Sequence, residues 1–139
     1  MTKALIIEAP YYTDVAALLR SGAEAELKKE NIEYDIISVP GALEIPAALN
    51  LSLWKNYAFY IVLGCVIRGE TSHYDIVCNE SARGIYNLVL EHKLALGNAI
   101  LTVENKDQAL KRADPAHKNK GRDAVQAALT INAIKKGDQ

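Results

Sequence analysis

An excess of charge of either sign is missing from this sequence: 16 Lys and Arg stand against 17 Asp and Glu, for a formal net charge of −1. A chain that binds nucleic acid without sequence preference carries a basic excess, because phosphate neutralisation drives that association. The overall balance gives that class no support. Cysteine is scarce as well. Cys65 and Cys78 are the whole inventory, and their spacing fits neither a C-x-x-C redox pair nor a zinc pattern. Both fall in segments that read as buried, where cysteine behaves as a small hydrophobe in a reducing compartment. No apolar run approaches the roughly 20 residues of a membrane helix. Met1-Thr2-Lys3 runs into a short apolar stretch that Glu8 and Pro10 end, so no signal peptide is expected and the cytoplasm is the expected location. G-x-G-x-x-G, Walker-type and G-x-S-x-G motifs are absent, as is metal-ligand spacing among histidines and carboxylates.

What is present is an ordinary globular composition. The 139 residues are 50% hydrophobic and 24% charged, which excludes a disordered chain and predicts one domain over 1–139. Ala4–Ile7 is a continuous apolar run, the pattern of a strand buried on both faces. Asp14 is positioned to cap a helix through Val15, Leu18, Leu19, Ala23 and Leu27 that ends at Lys28-Lys29. Tyr34–Val39 reads as a strand stopped by Pro40-Gly41, and Ala42–Leu53 as a helix with Pro46 near its first turn. Ala58–Ile67, rich in β-branched residues, reads as the central strand, and His73–Glu91 as a longer helix. Gly97-Asn98 reads as a stop before a fourth strand, Ala99–Val103. A short helix through Arg112 follows, and Asn119-Lys120-Gly121 opens a last one. This alternation predicts an α/β fold, a flavodoxin-like three-layer sandwich on a four-stranded parallel sheet. In such sheets ligands bind beyond the carboxyl ends of the strands.

The loops at those ends carry the chemistry. Arg68-Gly69-Glu70-Thr71-Ser72-His73 places a glycine, two hydroxyls and a histidine at one strand-to-helix turn. Glycine lets backbone N–H groups approach an anion, and a helix N-terminus favours negative charge. Histidine moves protons near neutral pH. The bland alternative is a capping loop, with Ser72 as N-cap and His73 solvated. Arg112 and Lys120 flank a turn and suit a phosphate clamp, or equally a solvated basic face. Tyr11-Tyr12 suit stacking on a flat heterocycle, or packing. Glu44 suits hydrogen bonds to a polyol, or the helix dipole. His92 and His117 read as surface residues.

Together these stretches resemble the lumazine synthase family. The resemblance rests on Val39-Pro40-Gly41-Ala42-Leu43-Glu44-Ile45-Pro46, on Gly64–Asp75, on Leu101-Thr102-Val103-Glu104-Asn105 with Gln108-Ala109, and on Asn119-Lys120-Gly121, in the family's order and spacing. It implies a transferase of riboflavin biosynthesis. The implied reaction is a condensation, without metal or cofactor, of 5-amino-6-(ribitylamino)pyrimidine-2,4-dione with 3,4-dihydroxy-2-butanone 4-phosphate, giving 6,7-dimethyl-8-ribityllumazine, phosphate and water. The family's catalytic histidine falls on His73. Its phosphate site falls on Gly69, Glu70 and Thr71 and on Arg112, and its active-site lysine on Lys120. The ribityl chain falls near Ala42, Leu43 and Glu44, and the pyrimidine edge on the backbone of Val66 and Ile67, with Tyr11 stacked.

The chain departs from the family's pattern in places. Both Tyr11 and Tyr12 are candidates for the ring that is often phenylalanine, Leu43 replaces a common phenylalanine, and Asn98 stands where many members have phenylalanine, as a ligand contact or a loop cap. The resemblance also implies a homo-oligomer, a pentamer or a closed shell of pentamers, with each site between two subunits; neither nucleic acid nor membrane is expected as a partner. An apolar stripe of Ile76, Val77, Ile85, Leu88 and Val89 points the same way. The readings of another class are a non-catalytic flavin or lumazine carrier and a shell-forming scaffold. A carrier has no need of His73, Arg112 and Lys120 together.

Overall fold

The computed structural model describes residues 2–138. Its centre is a four-stranded, all-parallel sheet in the order β2-β1-β3-β4, with β1 at Lys3–Glu8, β2 at Glu33–Ser38, β3 at Phe59–Ile67 and β4 at Leu96–Val103. The helices are α1 (Thr13–Lys29), α2 (Ile45–Ser52), α3 (His73–His92), α4 (Lys106–Ala113) and α5 (Lys120–Lys136). Side-chain alternation along the strands divides the apolar interior into two layers. Ala4, Ile6, Phe59, Ile61 and Leu63 pack with α1, α4 and α5. Leu5, Ile7, Tyr60 and Val62 pack with α2 and α3. The result is the expected flavodoxin-like three-layer sandwich.

Strand order decides where the loops meet. From β1 the chain goes outward to β2, then returns across β1 to β3. The crossovers on either side of this reversal separate at the carboxyl ends of β1 and β3, which opens a crevice there. Just beneath it the Glu8 carboxylate is buried, at 3% exposure, and is held by the Arg20 guanidinium and by the Ser38 hydroxyl at 2.8 Å. Burying that charge is tolerable because it is paired and hydrogen-bonded.

Several local expectations are corrected. Gly97-Asn98 does not stop the chain but lies inside β4, paired with Ile61 and Val62. The glycine is needed because α5 crosses so closely that a Cβ at position 97 would overlap the Ala124 carbonyl oxygen. Gly121 has the same function against the Leu19 carbonyl of α1. The segment Ala42–Leu53 begins as a 3₁₀ turn, Ala42–Glu44, before α2 starts. Tyr12, not Asp14, occupies the N-cap position of α1; the Asp14 carboxylate instead pairs with Lys106 at 3.0 Å. Of the apolar stripe on α3, Val77 and Ile85 are buried in the chain's own core, Leu88 and Val89 are partly buried against it, and only Ile76 is largely exposed. The apolar side chains of α3 that point outward with it are Tyr86 and Leu90. No helix among the described residues is long and apolar enough to cross a membrane.

Candidate active site

A cleft of about 490 Å³ opens at the carboxyl edge of the sheet. Three loops form it. Ala9, Tyr11 and Tyr12 follow β1; Pro40 to Glu44 follow β2; Cys65 to Ile67, Gly69, Thr71 and His73 come from the end of β3 and the turn beyond it. Tyr74 and Val77, from the first turns of α3, close one side. The site residues read from sequence that meet here are therefore Tyr11, Ala42, Leu43, Glu44, Val66, Ile67, Gly69, Thr71 and His73.

The two tyrosines are not equivalent. Their rings meet edge to face at 4.9 Å. Tyr12 packs against the core, with the Lys106 ammonium 5.6 Å from its ring centre. Tyr11 is 73% exposed and presents its ring to the cleft mouth. Opposite, Ala42 is buried and begins the 3₁₀ turn, while Leu43 and Glu44 are exposed on it. Val66 and Ile67 are the last residues of β3, paired with Thr102 and Val103. At this edge their backbone stands at the floor of the cleft.

The turn from Gly69 to Ser72 leads directly into α3. Ser72 occupies the N-cap position, yet its side chain makes no capping bond; the His73 backbone N–H donates instead to Thr71 Oγ1 at 3.2 Å. The His73 side chain is exposed beside this turn, at the amino end of a 20-residue helix. A helix end of that kind favours an anion, and an imidazole beside it can exchange protons with a bound molecule.

Four expected residues lie outside the cleft lining. Glu70 is exposed on the turn without lining it. Arg112 is half-buried in α4, and its Nη1 donates to the Gln108 carbonyl of its own helix at 3.1 Å. Lys120 opens α5 and pairs with Asp123 at 3.6 Å, on the sheet face opposite α2 and α3. Asn98 lies within β4, where its side-chain oxygen accepts the Ile100 N–H at 2.8 Å. The loops alone therefore build only part of the expected constellation within one chain.

Sequence reasoning left out Ala9, Pro40, Gly41, Cys65, Tyr74 and Val77 as lining residues. The signals were there in part: Val77 is four residues on from His73 and three on from Tyr74, so on a helix it neighbours both. Cys65 is half-buried rather than a core residue, and burial pushes its thiol up to about 11. His92 and His117 are exposed, as expected.

A three-layer α/β fold with an open cleft at its switch point, an anion-favouring turn and an adjacent histidine defines a small-molecule site of the enzyme type. The comparisons name the kind. Residues 1–136 match the model of the family described as 6,7-dimethyl-8-ribityllumazine synthase, and the chain belongs to that family. A relative of that name from Beijerinckia indica subsp. indica is 57% identical over 130 residues, covering 91% of this chain and 72% of its own length. One from Zymomonas mobilis subsp. mobilis is 50% identical, covering 98% of each chain. One from Bartonella bacilliformis is 49% identical, covering 95% of this chain and 89% of its own.

Proposed function

We propose that this chain condenses 5-amino-6-(ribitylamino)pyrimidine-2,4-dione with 3,4-dihydroxy-2-butanone 4-phosphate to 6,7-dimethyl-8-ribityllumazine, phosphate and water, as a transferase of riboflavin biosynthesis. The observation that carries this reading is the convergence of two motif-bearing loops, after β2 and β3, with the Tyr11-Tyr12 loop on one cleft in a chain that matches the family over 1–136. Tyr11 stacks on the pyrimidine, whose edge meets the backbone of Val66 and Ile67. Ala42, Leu43 and Glu44 hold the ribityl chain. Gly69, Glu70 and Thr71 receive the phosphate, and His73 moves protons during imine formation, phosphate loss and ring closure. Holding the two substrates in register supplies much of the rate, up to about 7–11 kcal/mol in favourable cases. The chemistry asks for no metal or cofactor.

Arg112, Lys120 and Asn98 do not line this cleft. They act across a subunit boundary, on the cleft of a neighbouring copy, Arg112 on the phosphate and Lys120 beside the substrates. The working form is accordingly a homo-oligomer of single-domain chains in the cytoplasm, a pentamer or a shell of pentamers. Exposed Leu51, Trp54, Tyr86 and Leu90 supply apolar surface for such contacts. Following the absorbance of the lumazine product with chelator present tests the reaction; folded protein that binds both substrates and yields no product would sink it. Light scattering tests the assembly, and an active monomer would remove the cross-subunit roles.

A further inference from the structure

Arg68 is the first residue beyond β3, and its half-exposed side chain has three partners. Its backbone N–H donates to the Val103 carbonyl at 2.9 Å, extending the β3–β4 ladder by one step. Its Nε lies 2.9 and 3.1 Å from the two carboxylate oxygens of Glu104, just past β4. Its Nη1 is 3.6 Å from Asp75, and its guanidinium carbon lies 4.3 Å from the centre of the Tyr74 ring. Tyr74 and Asp75 belong to the first turn of α3. One side chain thus joins the residue that enters the Gly69–Ser72 turn to the residues that leave it, and anchors both to the end of β4.

The turn has little other support. Open space surrounds the position a Cβ would take at Gly69, and residues 69–73 are all exposed. Within the turn, the Thr71–His73 bond described above is the local tie. A guanidinium meets this geometry and an ammonium does not: its edge hydrogen-bonds a carboxylate while its flat face lies on an aromatic ring. Charge acts in the same direction. Without Arg68, the carboxylates of Glu104 and Asp75, both more than half exposed, would stand uncompensated beside a turn that receives an anion.

We propose that Arg68 is a positioning residue, which closes the Gly69–Ser72 turn on itself and so sets where the phosphate and His73 stand. The proposal rests on the assignment of that turn to phosphate under Proposed function. It separates positioning from charge alone. Arg68→Lys keeps the charge and loses the fork and the stacking. Glu104→Gln removes a negative charge and loosens the anchor. A pure charge effect makes the first silent and the second bind phosphate more tightly; positioning makes both bind it more weakly.

The experiment measures KM for each substrate, competitive inhibition by inorganic phosphate, and Tm on the assembled wild-type protein and on Arg68→Lys, Arg68→Gln and Glu104→Gln. Expected are rises of about fivefold in the KM of the four-carbon phosphate and in the phosphate inhibition constant for Arg68→Lys, and about tenfold for Arg68→Gln, modest because the site is half exposed. Glu104→Gln rises by about two- to threefold. The KM of the pyrimidinedione and Tm stay near wild type. Arg68→Lys with wild-type constants, tighter phosphate inhibition in Glu104→Gln, or parallel loss for both substrates together with Tm would each overturn the proposal. An active wild-type protein that phosphate does not inhibit would instead overturn the turn's assignment to phosphate, and the proposal with it.

Discussion

Thr71 Oγ1 accepts the backbone N–H of His73 at 3.2 Å, so the first turn of α3 is tied by the residue before its N-cap position. The His73 backbone is held while its imidazole remains exposed beside the cleft. Catalytic and structural roles at this position are therefore separable by mutation.

His73→Ala removes the imidazole and leaves the tie to Thr71 in place. Turnover should fall about 10²–10⁴-fold, the range for loss of one proton-transfer group, with both substrates still bound and Tm unchanged. Single-turnover rates paired with thermal unfolding check this. Loss of rate in proportion to loss of Tm would mark His73 as structural.

Arg112→Ala should weaken the four-carbon phosphate by about 1.5–3 kcal/mol, the worth of a charge-assisted hydrogen bond. Pyrimidinedione binding should stay near wild type. Within its own chain the substitution removes only the partly exposed hydrogen bond to the Gln108 carbonyl, so stability should change little. Titration of each substrate separately decides the matter, because equal losses for both would make Arg112 a structural residue.

Gly97→Ala should destabilise the fold by about 3 kcal/mol, the upper end of the usual cost of overpacking, because the new methyl group meets a backbone carbonyl of α5 rather than a flexible side chain. Gly69→Ala, where the added methyl meets open space, should leave stability nearly unchanged. Urea unfolding of both variants gives the comparison. Equal midpoints would refute the close β4–α5 crossing.

Alkaline pH should loosen the fold in a predictable order. Burial raises the Cys65 thiol from 9.0 to about 11. Burial and the hydrogen bond to Glu24 raise Tyr34 from 10.0 to about 12, and the bond to Asp35, followed by burial, raises Tyr57 likewise. The unfolded chain releases each of these protons first, so folding is opposed as pH rises past the unfolded values. Stability is whole below about 9 and declines between about 9 and 12. Thermal melts over this range should show it, and Cys65→Ala should delay the onset. A Tm that does not fall there would contradict the raised values.

Short-range patterns determined a good deal of this protein. The apolar run Ala4–Ile7, the β-branched segment Ala58–Ile67 and the three- and four-residue periodicity after Asp14 each mark an element whose burial is set by its own side chains. The strand-end loops made Tyr11, Ala42, Leu43, Glu44, Val66, Ile67, Gly69, Thr71 and His73 legible as residues that line one cleft, because such loops in parallel sheets gather at one edge. Other features depended on partners distant in sequence. Gly97 reads locally as a stop but is a strand residue because it pairs with Ile61 of β3, and it must be glycine because Ala124 crosses it. Tyr12 turns inward under Lys106, which leaves the exposed ring to Tyr11. Ser72 has the capping hydroxyl by sequence, but the turn directs Thr71 to the backbone instead. The resemblance points to Arg112 and Lys120, yet neither lines the cleft of its own chain, because α4 and α5 carry them. Periodicity reports what a segment buries; only the sheet order β2-β1-β3-β4, set by long-range strand pairing, decides which loops converge.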